Sequence, residues 1–173
     1  MAKQTTHGLR YQRTMAFIQK SIPEKCKILD LGSENAFSEL LRKEGFSVVN
    51  TGFTDLDLQP EIVTDLKADV ATALEILEHL VSPMQVLKNL PANKLIASIP
   101  MRLWFAPAYR SNSDPWDRHF HEFEDWQFDW LLEKAGWKIV SSEKWISPSS
   151  KIGFRPFLRK ITPRYYIVYA ERI

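Results

Sequence analysis

Along this chain, short solid apolar runs alternate with amphipathic stretches of helical period. LRYQRTMAFIQKSI places Leu9, Met15, Phe17 and Ile18 near helical spacing and stops before Pro23, which predicts a leading helix within residues 1–22. CKILDLG is an apolar run closed by Gly32 and predicts a buried strand. FSELLRKEG then predicts a helix with Phe37, Leu40 and Leu41 on one face and Gly45 at its C-cap. FSVVNTGF is β-branched and strand-like, and DVATALEIL is a second buried run. In SPMQVLKNL, Ser82 is placed to cap a helix, Pro83 suits its first position, and Gln85 completes a capping box. KLIASIP reads as a strand stopped by Pro100. EDWQFDWLLEKAGW reads as a helix carrying Phe128, Leu131, Leu132 and Ala135 on one face and ended by Gly136. KIVSSEKWI and RYYIVYAER are the last strand candidates. This alternation predicts a single α/β domain, 1–173, whose mostly parallel sheet is covered on both faces.

Composition narrows the function classes. A chain of 173 residues, 45% hydrophobic, can bury a full core without a metal or disulfide staple. Its 23 basic and 21 acidic residues leave +2, too little to imply a polyanion partner, so nucleic acid is not the expected ligand. One cysteine, Cys26, forms no internal disulfide, and MAKQTTHGLRYQR lacks an apolar h-region, so a cytoplasmic location is expected. No apolar run reaches the roughly 18 residues of a membrane span. SPSS, Ser147 to Ser150, is the nearest thing to a low-complexity tract and reads as a loop.

Three stretches carry a family resemblance: ILDLG at Ile28 to Gly32, ALEILEHL at Ala73 to Leu80, and HEFEDWQFDWLLEKAGWKIV at His121 to Val140. In order and spacing the chain resembles the class I, Rossmann-like S-adenosylmethionine (SAM)-dependent methyltransferases of small-molecule type. The resemblance implies a seven-stranded sheet, or a reduced version of it, parallel except for one strand near the C-terminus. It implies SAM as cofactor and a small-molecule acceptor.

By that resemblance, Asp30, Gly32 and Ser33 fall at the methionine end of the cofactor. Departures are equally visible. Glu34 and Ala36 stand where the family's second and third glycines would be, and Glu34 would crowd the cofactor's carboxylate. A turn that only packs is the other reading of this stretch. Asn50, Thr51 and Gly52 occupy the place of the usual ribose-binding acid, leaving Asp55 or Asp57 to take that role. The stretch Thr54 to Ala68 is too short for two crossovers and an edge strand, because one parallel crossover takes a dozen or more residues. IVTDL is expected to survive as a reduced strand that brings Asp65 and Leu66 to the adenine, with the neighbouring helix missing or reduced to a turn. Glu75 is expected at the carboxyl edge of the sheet beside the transferred methyl, while Glu78 and His79 organise the following turn.

The segment 101–121 holds Trp104, Phe105, Tyr109, Trp116 and Phe120, too apolar for an idle loop, and the resemblance makes it part of the acceptor pocket. These aromatics could instead cap the sheet or form a homodimer contact. His119 and His121 flank Phe120, and in an extended segment both would face one side. Either could remove a proton from the acceptor. An HxH metal pair lacks an obvious third ligand, so no metal is expected. The basic cluster Lys151, Arg155, Arg159, Lys160 and Arg164, interleaved with Phe154 and Phe157, could stack single-stranded nucleic acid, but its prolines favour a solvated loop. Arg10 and Arg13 either pair with the methionine carboxylate or stay solvated. The sequence thus points to SAM-dependent methyl transfer catalysed with Glu75, His119 and His121. The alternative is a non-catalytic protein of the same fold that binds a partner.

Overall fold

A computed structural model describes residues 6–147 and 153–173, the first two by backbone alone. Six strands form one sheet in the order β2-β1-β3-β4-β6-β5: β1 Lys27–Asp30, β2 Ser47–Asn50, β3 Val70–Leu74, β4 Lys94–Pro100, β5 Trp137–Ile146 and β6 Pro163–Arg172. β1 pairs in parallel with β2 and β3, and β3 with β4, whereas β6 runs antiparallel to both β4 and β5. The single reversed strand is where the resemblance implied it. The helices are α1 Thr6–Ser21, α2 Ala36–Lys43, α3 Pro83–Asn89, α4 Asp125–Lys134 and α5 Phe154–Leu158.

Strand pleating explains the two-sided core. Successive side chains point to opposite faces. Ile28, Val70, Ile96 and Ile167 therefore pack under α1 and α2 with Phe17, Ile18, Phe37 and Leu41. Leu29, Ala71, Leu95 and Val168 meet Val86, Leu87, Phe128 and Leu132 from α3 and α4. Solid apolar runs in the sequence reflect this double coverage.

Three expectations need correction. The sheet has six strands, because Pro60–Asp65 folds as a 3-10 turn and leaves no edge strand beyond β2. Asp65 is consequently exposed, and Leu66 packs against the core on the α3 side. The Ser82 side chain makes no cap bond to α3; its backbone amide, with that of Val81, donates instead to Asp57, at 2.7 and 2.8 Å. The basic stretch near the C-terminus contains the short helix α5 rather than loop alone. Lys151 and the segment Pro148 to Ser150 lie outside the described residues.

Candidate functional site

The chain leaves β1 toward β2 on one side and returns to β3 on the other, so the sheet's topological switch lies between the carboxyl ends of β1 and β3, where doubly wound sheets open a crevice. Gly32 makes the turn after β1 at φ +97°, and a Cβ there would lie 3.2 Å from the Ile76 side chain. Only glycine suits that combination of backbone and space. Thr51 Oγ1 accepts from the Gly32 amide at 2.8 Å and the Gly52 amide donates to the Gly32 carbonyl at 3.1 Å, which ties the ends of β1 and β2 together.

Two cavities meet at this switch, and His79 lines both. One, of about 750 Å³, runs past Gly32, Ser33, Gly52, Asp55, Ile76 and Trp116. The other, of about 540 Å³, lies between α1 and the segment after β4, bounded by Arg10, Tyr11, Asn35, Glu75, Tyr109 and His119.

Asp30 lines the smaller cavity at its floor. Buried at 3% exposure, it accepts from Thr72 Oγ1 at 2.6 Å, Ser38 Oγ at 2.7 Å and Asn50 Nδ2 at 3.1 Å. Burial pushes its carboxyl above the ordinary value of 3.8, and those three hydrogen bonds oppose the shift. Asn50, at the ribose position by resemblance, is committed to this network and to Arg42. Glu34 does not crowd the cavity: it is exposed, pairs with Arg42 of α2, and lines neither space. Asp55 and Asp57 both line the larger cavity. Asp57 is held by the Val81 and Ser82 amides, whereas Asp55 Oδ1 receives one amide, that of Asp57, at 3.0 Å. Asp65 and Leu66 line neither cavity.

Glu75 follows the last residue of β3 at φ +54°, a backbone conformation that costs a non-glycine residue energy and clusters at functional sites. Its carboxylate accepts from Ser98 Oγ at 2.9 Å and pairs with Arg10 at 3.5 Å. Burial pushes its pKa up and the Arg10 guanidinium pulls it back.

The sequence reading missed how far the next turn enters the site. Glu78, in the 3-10 turn Leu77–His79, is 1% exposed, and neither carboxylate oxygen has a hydrogen-bond partner. Burial first, and then the charge of Glu75, raise its pKa well above the ordinary range. The Glu78 carbonyl accepts from the amides of Phe120 and His121 at 2.8 and 3.2 Å, which brings the 119–121 segment over the turn. His119 thereby meets the His79 ring edge-on, centroids 4.7 Å apart, while its pKa is lowered by burial and by His79. His121 does not share the site: its ring stacks on Phe123, and Nε2 lies 3.3 Å from the Val81 carbonyl. The 119–121 segment is not a regular strand, so the expectation that both histidines face one side fails. Tyr109 lines the smaller cavity with His119, Trp116 and Phe120 line the larger, and Trp104 and Phe105 pack on each other outside both.

No family model matches the chain, and no curated protein does. Solved structures do match. The Burkholderia thailandensis 1,6-didemethyltoxoflavin-N1-methyltransferase, with bound 1,6-didemethyltoxoflavin and S-adenosylhomocysteine (SAH), superposes at a TM-score of 0.68 and 15% identity over 98% of this chain and 79% of that one. The fold is that of the class I SAM-dependent methyltransferases. A SAM-dependent methyltransferase from Archaeoglobus fulgidus matches at a TM-score of 0.56 and 15% identity, over 94% of both chains. The methyltransferase fold is not tied to methylation alone: the [4+2]-cyclase SpnF matches at 0.58 and 15% identity, over 94% of this chain and 81% of its own.

Proposed function

We propose that this protein transfers the methyl of SAM to a small-molecule acceptor. The observation that carries the reading is the pair of cavities that meet at His79 on the carboxyl edge of β1 and β3. Their residues fit the cofactor. The Gly32 turn leaves bare backbone against Ile76, and Glu34, the one bulky departure from the glycine pattern, faces away. In this reading the nucleoside takes the larger cavity, with Asp55 rather than Asp57 nearer the ribose, and the methionine end lies toward Asn35, Tyr11 and Arg10. SAM supplies a methyl already activated on a sulfonium, so the protein has mainly to align acceptor and methyl. Tyr109 and His119 wall the remaining space for the acceptor. His119, whose pKa burial lowers, is the group placed to accept the acceptor's proton, and Glu75 holds Arg10 and the rim in place.

The lost edge strand leaves Phe53, Leu58 and Trp116 exposed at 91%, 77% and 66% around the larger cavity. That bare apolar rim also supports the second reading, a partner-binding protein without catalysis. Thermal melting with SAM and SAH separates the two. A ligand at about 100 times its Kd stabilises by about 2.7 kcal/mol. At roughly 2–4 °C per kcal/mol for a chain of this size, a shift of several degrees is expected. No shift with either ligand at millimolar concentration would leave the partner-binding reading.

A further inference from the structure

Where the two cavities meet, Glu78, His79 and His119 each present one ligand atom, and these three atoms lie within 4.8 Å of one another. We infer that these side chains form a binding site for a divalent transition-metal ion. The strongest ground is Glu78. A carboxylate at 1% exposure with both oxygens unpartnered is a rare state in a folded protein, and a bound cation is one of its few explanations. The two nearby guanidiniums act on it only through space: Arg10 pairs with Glu75, and Arg164 Nη1 donates to the Met101 carbonyl at 2.8 Å.

Histidine geometry supplies a second, independent ground. His79 Nδ1 lies 3.1 Å from the Arg118 carbonyl, which makes Nδ1 the protonated nitrogen and leaves the lone pair of Nε2 facing Glu78 Oε1 at 3.8 Å. Metal-binding histidines are oriented in this way, one nitrogen donating to a carbonyl while the other ligates. His119 Nδ1 has Glu122 Oε1 at 3.6 Å. The two backbone bonds from the 119–121 segment to the Glu78 carbonyl fix the third ligand over the first two. Two imidazoles with one carboxylate suit first-row transition ions better than magnesium or calcium. Three protein ligands leave coordination positions open to the cavity, as in catalytic rather than structural sites. An acceptor oxygen is the group such an ion would bind and acidify, and with the ion present that acidification replaces proton acceptance by His119, a consequence that alone rests on the methyl-transfer reading.

The test is calorimetric titration of the chelator-treated full chain with Mn²⁺, Co²⁺ and Zn²⁺, each alone and without SAM. Saturable binding of one ion per chain is expected, with visible absorption bands from the Co²⁺ complex. Glu78→Gln keeps the side-chain size and replaces the carboxylate, with thermal melting of the metal-free variant checking its fold; it and His119→Ala should each weaken binding by at least about tenfold. His121→Ala should bind as the parent does. Absence of saturable binding by all three ions at millimolar concentration overturns the site, as does binding that neither Glu78→Gln nor His119→Ala changes. SAH binding is measured on the same preparation without metal, so this site and the cofactor reading can fail separately.

Discussion

Asp30 and Glu34 stand four residues apart in one turn and have opposite fates, decided by where their oxygens find partners. Asp30 closes a buried network that joins β1, α2, β2 and β3 through Ser38, Asn50 and Thr72. Asp30→Asn turns an amide into the place where Oδ2 accepts from both Ser38 and Asn50, and leaves donors facing donors. A loss of about 1–3 kcal/mol is expected in urea denaturation. The pH dependence follows from the direction of the shift. Because the folded pKa lies above the unfolded one, Asp30's contribution is fully present below the unfolded value and declines as pH rises through the folded value. Asp30→Asn removes that slope, which stability curves collected from acid to neutral pH would reveal. Glu34 pairs with Arg42 in solvent, and exposed pairs contribute about 0–1 kcal/mol. Glu34→Gly should therefore leave SAH affinity unchanged in calorimetry. Tighter binding would mean that Glu34 does enter the cavity. The glycine pattern identified the turn, but side-chain direction within it is set by α2, which supplies Arg42 on the outside and Ser38 on the inside.

Among the elements, the stretch between β2 and β3 departs furthest from the seven-stranded plan. With a single 3-10 turn in it, the loop is held at its middle by Asp57, whose carboxylate takes the amides of Val81 and Ser82 at the start of α3. Asp57 thereby takes the Ser82 amide that the Gln85 side chain would accept from in a capping box, which is why that half of the local reading failed. Removing an acceptor of two amides is expected to cost about 1–3 kcal/mol. Asp57→Ala should therefore lower the melting temperature and speed hydrogen exchange in α3 and in residues 51–58, whereas Asp55→Ala should weaken SAH binding with little change in melting. Similar stability losses with unchanged α3 exchange would remove Asp57 as the anchor. α4, by contrast, carries the capping box that its own sequence holds, from Glu124 and Gln127.

For the molecule as a whole, the two-cavity arrangement predicts where a ligand should be felt. SAH should slow hydrogen exchange in residues 31–35, 51–56 and 75–80 and leave β5 and residues 167–172 of β6 as they were, since only the start of β6, at Arg164 and Tyr165, lines a cavity. Protection concentrated in β5 would relocate the pocket. Among the described residues no helix is long and apolar enough to cross a membrane. The alternation of buried runs and amphipathic helices was legible in the chain except at residues 60–65 and in α5, because burial on a strand or helix repeats with a local period of 2.0 or 3.6 residues. From it came the α/β class, the double coverage and the elements on either side of the switch point; the family resemblance added the one reversed strand. In the sequence, Gly32 was marked by the glycine turn and Glu75 by its place at the end of a buried run. Glu78 looked like any turn residue, and His119 and His121 looked equivalent, since nothing local records which polar groups from distant segments will share a space without water. The crossover that lays the 119–121 segment over the turn after β3 decided that, by removing Glu78 from solvent and placing two imidazoles beside it.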